Sequence, residues 1–202
     1  MKKFFIALAI MALAVPAMGQ TWVENPDAGD LPPTAQFLEC AGAVTSITGA
    51  LDSPNGDYID MYLITVVDPT LFSATTVNGT TLDTRLWLFD LNGFGITAND
   101  DSGSLQSTLT AVNMPAVGDQ FYLAIGCFSN DAQDPNGLDM WDFIPFSEEV
   151  PPDGPGAAGP LAGWSNGTTC AGDYEIFLTG VTCSGPVAIE DSSWGSLKSL
   201  YR

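Results

Sequence analysis

Short runs in which apolar and polar residues alternate recur along the chain from residue 43 onward. β-Branched and aromatic residues fill these runs, and Gly, Pro, Asn and Asp lie between them, as is typical of strands joined by turns. The pattern predicts eight strands: Ala43–Leu51, Ile59–Val66, Leu71–Val77, Arg85–Asp90, Gly95–Asn99, Ser104–Thr110, Gln120–Phe128 and Asp173–Val181. Because no helical pattern separates them, we predict an all-β chain, an antiparallel β-sandwich or jelly roll.

The run 85–90 has apolar residues on both of its sides, which predicts a central strand. Leu86 and Leu88 share one side, whereas Trp87 and Phe89 share the other. Arg85 is the only cation between Lys3 and Lys198, and we expect it to form a structural ion pair rather than to bind a ligand. Its candidate partners are Asp57, Asp60 and Asp83.

Two segments interrupt the strand pattern. Residues 20–37 are acidic and contain proline, and we interpret them as a leader strand or linker. Residues 129–171, termed the insert, contain six prolines and six glycines, and a loop of this length is usually functional. Its large rings are candidate anchors for a surface polysaccharide or a protein partner, namely Trp141, Phe143, Phe146 and Trp164. The alternative, which we favour, is that the rings fold back and cover one face of a sheet.

Both ends of the chain carry separate signals. Lys2 and Lys3 precede an apolar run, and small residues at 17 and 19 follow it, so residues 1–19 are predicted to be a signal peptide. The mature chain would begin at Gln20 and be secreted, outside the cell or at its surface. No second apolar run is long enough to span a membrane. After a Ser-Gly-Pro linker, the tail 187–202 is predicted to form a short helix, either docked on the domain or acting as a sorting tag.

Four cysteines in an exported chain predict two disulfides. Cys170 and Cys183 bracket one predicted strand, whose ends lie too far apart to be bridged. Cys127 ends a strand and Cys170 begins the next one after the insert, so antiparallel pairing would bring them together. Pairing of the first and last strands would likewise join Cys40 to Cys183.

Composition excludes several function classes. The chain has no histidine, which removes Ser-His-Asp catalysis and histidine zinc sites. The formal net charge is −19, and no cluster of Lys and Arg exists that could bind nucleic acid. Because 46% of residues are hydrophobic and only 14% are charged, the chain is folded rather than a disordered acidic tail.

Five sequence pieces carry a resemblance to a known family. They are Ile47–Leu51, Gly56–Tyr62, Leu82–Phe89 with Asn99–Asp101, Gly118–Ile125 and Gly172–Ile176. In order and spacing the chain resembles the bacterial pre-peptidase C-terminal domain, a secreted jelly-roll module appended to exported enzymes. The resemblance implies an accessory role, and calcium-binding modules occur among relatives of that family. The chain departs from the family in its long insert and in lacking a catalytic domain.

Acidic turns are candidate calcium sites, because calcium takes six to eight oxygen ligands. The candidate ligands are Asp57, Asp60, Asn99, Asp100 and Asp101, and a further group in the insert is Asp131, Asp134, Asn136 and Asp139. The alternative is that these are solvated acidic turns without a metal.

We therefore predict a secreted, non-catalytic β-sandwich module with a binding or accessory role, calcium being the candidate cofactor. One alternative is a glycosidase-like hydrolase, for which Asp100-Asp101 and Glu148-Glu149 are adjacent acidic pairs. Adjacent strand residues point to opposite faces, which disfavours both pairs. The other alternative is a structural envelope or matrix subunit assembled through sheet edges.

Overall fold

The computed structural model describes residues 19–115, 120–143, 145–165, 167, 169–183. The predicted signal peptide, apart from Gly19, and the predicted C-terminal tail lie outside the described residues. Twelve strands are present: β1 Gln20–Val23, β2 Gln36–Phe37, β3 Ala43–Asp52, β4 Ile59–Val66, β5 Ser73–Thr75, β6 Thr84–Phe89, β7 Gly95–Asn99, β8 Thr108–Thr110, β9 Gln120–Cys127, β10 Ala132–Gln133, β11 Gly163–Trp164 and β12 Ala171–Thr182.

Four short 3-10 helices join some of these strands: Pro32–Thr34, Ser53–Asn55, Pro69–Leu71 and Ala111–Asn113. Within the described part of the chain, no helix has the length and hydropathy needed to cross a membrane. The predicted all-β class is therefore confirmed. The predicted strand Leu71–Val77 is shorter than expected because Asp68 caps a 3-10 turn, its carboxylate accepting a hydrogen bond from the Thr70 amide at 2.9 Å.

The strands form two layers around one core, as a β-sandwich requires. In the first layer β4, β9, β6 and β7 pair in that order, all antiparallel. In the second layer β12 pairs antiparallel with β3 and β5, and β5 pairs with β8. The end of β12 also pairs with β4, which joins the two layers into one continuous sheet. This sheet contains ten strands, β1 to β9 and β12. The side chains between the layers form the inner core, which includes Ile47, Ile64, Leu86, Leu88, Leu123, Ile125 and Ile176.

The segment 20–37, predicted to be a leader strand or linker, contributes two strands to this sheet. β1 pairs with β3 and β2 pairs with β4, and both pairings are parallel. The sheet is therefore mixed rather than purely antiparallel. Trp22 packs against the inner core, and Ala28 is buried within it.

The insert forms a third layer over the outer face of β4, β9 and β6. Trp87 and Phe89 of β6 contact rings of the insert, with centroid distances of 4.9 Å from Trp87 to Trp164 and 5.6 Å from Phe89 to Trp141. Together with neighbouring residues these rings form the outer core, whose insert members include Ala132, Met140, Trp141, Phe143 and Leu161. Strand β6 is consequently buried on both faces, as the sequence predicted for a central strand.

Both predicted disulfides are confirmed. Cys40 pairs with Cys183 across 5.2 Å between Cα atoms, and Cys127 pairs with Cys170 across 6.3 Å. The first pair forms because β3 and β12 lie antiparallel, with Ala43 opposite Thr182. The second pair forms for a different reason from the one predicted: β9 and β12 are not ladder partners, so this disulfide connects the two layers.

Candidate metal centres

Carboxylates converge at two separate places in the described residues. The first group, termed the N-terminal cluster, comprises Glu24, Asp27 and Asp60. The second group, termed the seam cluster, comprises Asp83, Asp100 and Asp101. In each group, one carboxylate oxygen from each residue lies within 4.8 Å of the others. Three of the five predicted ligands, Asp60, Asp100 and Asp101, belong to these groups.

The parallel pairing of β1 positions Glu24 over the sandwich. Directly after β1, the Glu24 amide donates to the carbonyl oxygen of Thr48 at 2.9 Å. The Glu24 carboxylate accepts hydrogen bonds from the amides of Ala28 at 2.7 Å and Ala50 at 3.1 Å. Each oxygen of this carboxylate is thus held by one amide, and the side chain is fixed beside β4.

Asp60 of β4 is fully buried between the layers. The Tyr174 hydroxyl of β12 donates to its Oδ2 atom at 2.7 Å, and the Tyr62 and Tyr174 hydroxyls are hydrogen-bonded to each other. The Oδ1 atom of Asp60 is buried and has no hydrogen-bond partner among the described residues. A buried carboxylate oxygen without a donor is a site where a proton or a cation would be stabilised.

Burial and neighbouring negative charge perturb this cluster strongly. Burial, reinforced by the charge of Glu24, raises the pKa of Asp60 to about 9, although the bond from Tyr174 opposes the shift. Asp57 lies nearby, and its pKa rises to about 6 through burial and the charge of Asp27. Burial also raises the pKa of both Tyr62 and Tyr174, so both hydroxyls stay protonated.

A surface pocket of about 250 Å³ lies beside the N-terminal cluster. Asp27 belongs to both, and the pocket is further lined by residues of two segments, 28–30 and 56–59. Asp57 lines this pocket, and its Oδ2 atom accepts a hydrogen bond from the Asp52 amide at 2.9 Å. The pocket therefore offers a polar, negatively charged approach to the cluster from solvent.

The seam cluster lies where the insert meets the sheet. Asp83 precedes β6, and Asp100 and Asp101 follow β7, so antiparallel pairing of these strands brings the three side chains together. The Oδ1 atoms of Asp83 and Asp100 are buried without a hydrogen-bond partner in the described residues. Burial is the largest cause of the raised pKa of both Asp83 and Asp100.

Arg85 is buried beside the seam cluster and forms two ion pairs. One guanidinium nitrogen binds Asp100 at 2.9 Å, and the other binds Asp131 of the insert. The guanidinium also lies 4.0 Å from the ring centroid of Phe143. A structural ion pair was expected, but the predicted partners were wrong. Strand alternation turns Arg85 toward the insert, and its ion pairs are with Asp100 and Asp131 rather than with Asp57, Asp60 and Asp83.

Asn99 does not join either cluster. Its amide oxygen accepts from the Thr108 amide at 2.8 Å, and its amide nitrogen donates to the Asp101 carbonyl at 3.2 Å. The oxygen and the nitrogen of the Asn99 side-chain amide therefore both stabilise the turn that carries Asp100 and Asp101. The predicted role of Asn99 as a ligand remains a prediction, and the structure gives it a supporting contact.

The acidic residues predicted as a further metal group in the insert each have a separate partner. Asp134 caps its own turn, accepting from the amides of Asn136 and Leu138. Asp139 accepts from the Gln133 side chain at 2.9 Å, and Asp131 binds Arg85. Asp139 lies close enough for its charge to act on Asp131, but these carboxylates do not converge into a group of three like the two clusters above.

The four predicted binding rings are placed differently from one another. Trp141 and Phe143 are buried in the outer core, and Trp164 is half-buried against Trp87. Phe146 is 49% exposed. The arrangement matches the favoured alternative, in which rings of the insert cover a sheet face. Binding through these rings stays a prediction, and Phe146 is the one placed to contact a partner.

Sequence reasoning missed Glu24, Asp27 and Asp83. Glu24 and Asp60 are far apart in the chain and meet only because β1 pairs parallel with β3, for which the sequence carries no local signal. For Asp83 a signal was available. It directly precedes predicted strand 85–90, and antiparallel pairing of that strand with 95–99 would bring Asp83 close to Asp100 and Asp101.

Comparisons with protein-family models, curated proteins and solved structures found no match. The function must therefore be argued from the geometry of the chain itself.

Proposed function

We propose that the chain is a secreted, non-catalytic β-sandwich module with a binding or accessory role outside the cell, and that calcium bound at the N-terminal cluster stabilises it. The buried, unpartnered Oδ1 atom of Asp60 is the observation that carries the calcium proposal. Two disulfides support an oxidising location. The resemblance to the pre-peptidase C-terminal domain agrees with an exported module and remains a prediction.

The charge balance of the N-terminal cluster favours a bound cation. Glu24, Asp27, Asp57 and Asp60 lie close together, and Arg85, the only cation among the described residues, is bound to Asp100 and Asp131. Buried carboxylates are stable when they are paired, protonated or bound to a metal. No protein cation is placed to pair with this cluster in the described chain, so a proton or a metal ion must balance it.

Calcium fits the geometry of the cluster and balances its charge better than a single proton does. Calcium binds oxygens at about 2.3–2.6 Å, so two oxygens on one ion are separated by no more than about 5 Å. The 4.8 Å limit within the cluster meets this condition. A proton on Asp60 would form a hydrogen bond with Glu24, but it would neutralise only one charge of the cluster, whereas calcium neutralises two. The adjoining pocket supplies room for the water ligands that calcium retains.

Calcium titration of the purified protein tests this proposal. Calcium should raise the melting temperature and bind with a measurable heat, and Asp60→Asn should abolish the component of binding that belongs to this cluster. Glu39→Gln is the matched control, because Glu39 is exposed and its loss removes one charge nearby. Calcium binding that Asp60→Asn leaves unchanged would contradict the proposal.

The hydrolase alternative is less well supported by the geometry. Asp60, whose pKa is raised to about 9, is the carboxyl group best suited to act as an acid. Asp60, however, has no exposed surface, so a polymeric substrate does not reach it. Assay against polysaccharides and peptides separates this alternative, because a hydrolase releases product whereas a binding module is retained on the polymer.

The structural-subunit alternative concerns the edges of the sheet. β1 forms one edge of the main sheet, and β7 at the other edge is covered by the insert through a bridge between Ala98 and Val150. A subunit that assembles through β1 would form larger species in solution. Molecular mass measured by light scattering with and without calcium distinguishes this alternative, since an accessory module stays monomeric.

A further inference from the structure

We propose that the seam cluster is a second site for an oxygen-preferring divalent cation such as calcium, and that the bound ion fastens the insert to the sandwich. The site is independent of the N-terminal cluster, because the two groups share no residue. Its ligands are the carboxylates of Asp83, Asp100 and Asp101.

The three carboxylates of the seam cluster are arranged so that one ion can contact all of them. One oxygen from each carboxylate lies within 4.8 Å of the other two, which is close enough for one calcium ion to bind all three. Asp100 is 1% exposed, and only one of its oxygens, Oδ2, is taken by Arg85. Its Oδ1 atom, like that of Asp83, is buried and has no hydrogen-bond partner in the described chain. These two oxygens are available as ligands.

The seam cluster carries an excess of negative charge. Four carboxylates meet here, those of Asp83, Asp100, Asp101 and Asp131, and Arg85 supplies the only positive charge among the described residues. Arg85 binds Asp100 and Asp131 directly and also acts electrostatically on Asp83, but its single positive charge offsets only one of the four negative charges. A divalent cation would neutralise most of the excess negative charge.

The seam cluster is linked to the insert by hydrogen bonds and an ion pair. The Phe128 amide, just before the insert, donates to the Asp83 carbonyl at 3.0 Å. The Asp101 amide donates to the carbonyl of Phe146, within the insert, also at 3.0 Å. Arg85 binds Asp100 on one side and Asp131 of the insert on the other. An ion held by these three aspartates would therefore link the sheet to two parts of the insert, its first residues and the segment around residue 146.

Calcium binding in the Asp60→Asn background isolates the second site. The whole chain carrying Asp60→Asn should still bind one equivalent of calcium by titration calorimetry. Adding Asp83→Asn and Asp101→Asn should abolish that equivalent, whereas adding Glu148→Gln should not, because Glu148 is an exposed carboxylate of the insert. No binding in the Asp60→Asn background, or binding that the aspartate changes leave intact, would overturn the proposal.

Hydrogen exchange of the unmodified chain provides a test that needs no variant. Calcium should slow exchange of the Asp101 and Phe128 amides, both of which bond across the junction. Unchanged exchange at both amides under saturating calcium would overturn the proposal. Failure of the N-terminal site would be seen separately, as calcium binding that Asp60→Asn does not alter.

Discussion

The hydroxyl of Tyr174 donates a hydrogen bond to Asp60 across 2.7 Å, although 114 residues separate them in the chain. This bond joins β12 to β4 inside the sandwich. It places the last strand of the described chain in direct contact with the carboxylate that organises the N-terminal cluster. The stability of the fold and the chemistry of that cluster are therefore coupled, and several measurements follow from the coupling.

The stability of the metal-free protein should fall as pH rises from about 4 to about 9. Folded Asp60 keeps its proton to a pKa of about 9, whereas the unfolded chain loses it near 3.8, so folding takes up a proton in this window. The slope should be at most about 1.4 kcal/mol per pH unit for this group. Asp57, whose pKa is about 6, adds to the slope below that pH. The groups that surround Asp60 are Glu24, Asp27, Asp57, Tyr62 and Tyr174.

Urea unfolding in a chelator across this pH range measures the effect. Asp60→Asn should flatten most of the slope, because the amide carries no titrating proton, and Glu39→Gln should leave it unchanged. An identical pH slope in Asp60→Asn and the unmodified protein would contradict the assignment.

Tyr174→Phe should lower the free energy of unfolding by about 1–3 kcal/mol, because it leaves a buried carboxylate without its donor. It should also extend the pH-dependent loss of stability beyond pH 9, since the Tyr174 bond opposes the raised pKa of Asp60 and its removal raises that pKa further. Tyr122→Phe is the control, as the Tyr122 hydroxyl has no hydrogen-bond partner in the described residues. Equal stability of the two variants by chemical denaturation would count against the buried Tyr–Asp contact.

The two disulfides should contribute unequally to stability. Cys40 and Cys183 are 143 residues apart, whereas Cys127 and Cys170 are 43 apart. In the chain-entropy model the longer loop gains about 1 kcal/mol more, so replacing Cys40 and Cys183 with serine should be the more destabilising change. Urea unfolding of the two double-serine variants measures this difference. A larger loss from the Cys127 and Cys170 pair would show that the loop-entropy difference does not dominate.

Rings of the insert should separate into core and surface residues under mutation. Trp141→Ala should reduce the free energy of unfolding by about 3–5 kcal/mol, because it opens a cavity in the outer core. Phe146→Ala should change it by no more than about 0.5 kcal/mol. If the insert binds a polysaccharide or protein, Phe146→Ala should weaken retention on that partner while sparing the melting temperature. A large loss of stability from Phe146→Ala would argue against a surface role.

Local patterns in the sequence, namely strand alternation and turn residues, were sufficient to predict much of the fold. β4 and β7 have the predicted bounds because turn residues lie on both sides of each run, such as Asp57 before β4 and Asp68 after it. The opposite faces of Leu86 and Trp87 follow directly from strand alternation. The disulfide pairs were also predictable, since strand length excludes a bridge between Cys170 and Cys183 and pairing of the first and last strands selects Cys40 with Cys183.

The candidate sites were predictable only in part. Asp60, Asp100 and Asp101 stood out as acids in turns or strands, but convergence with Glu24 and Asp83 depends on which strands become neighbours. Parallel pairing of β1 with β3 leaves no periodic trace in the sequence, because either strand could be an edge. The partners of Arg85 were predicted wrongly for a similar reason. Arg85 faces the insert, which supplies Asp131, and no short-range sequence pattern predicts the path of the insert.

The burial of Arg85 between Asp100 and Asp131 affects the long-range electrostatic field of the protein. Because this guanidinium is the only cation in the described residues and is 4% exposed, the described surface presents ionised groups of a single sign. The field of this described surface therefore repels other acidic surfaces and weakens beyond about 8–10 Å in physiological salt. Macromolecules that bring their own lysines or arginines would be drawn in fastest at low ionic strength, with association rates that fall steeply as salt is added.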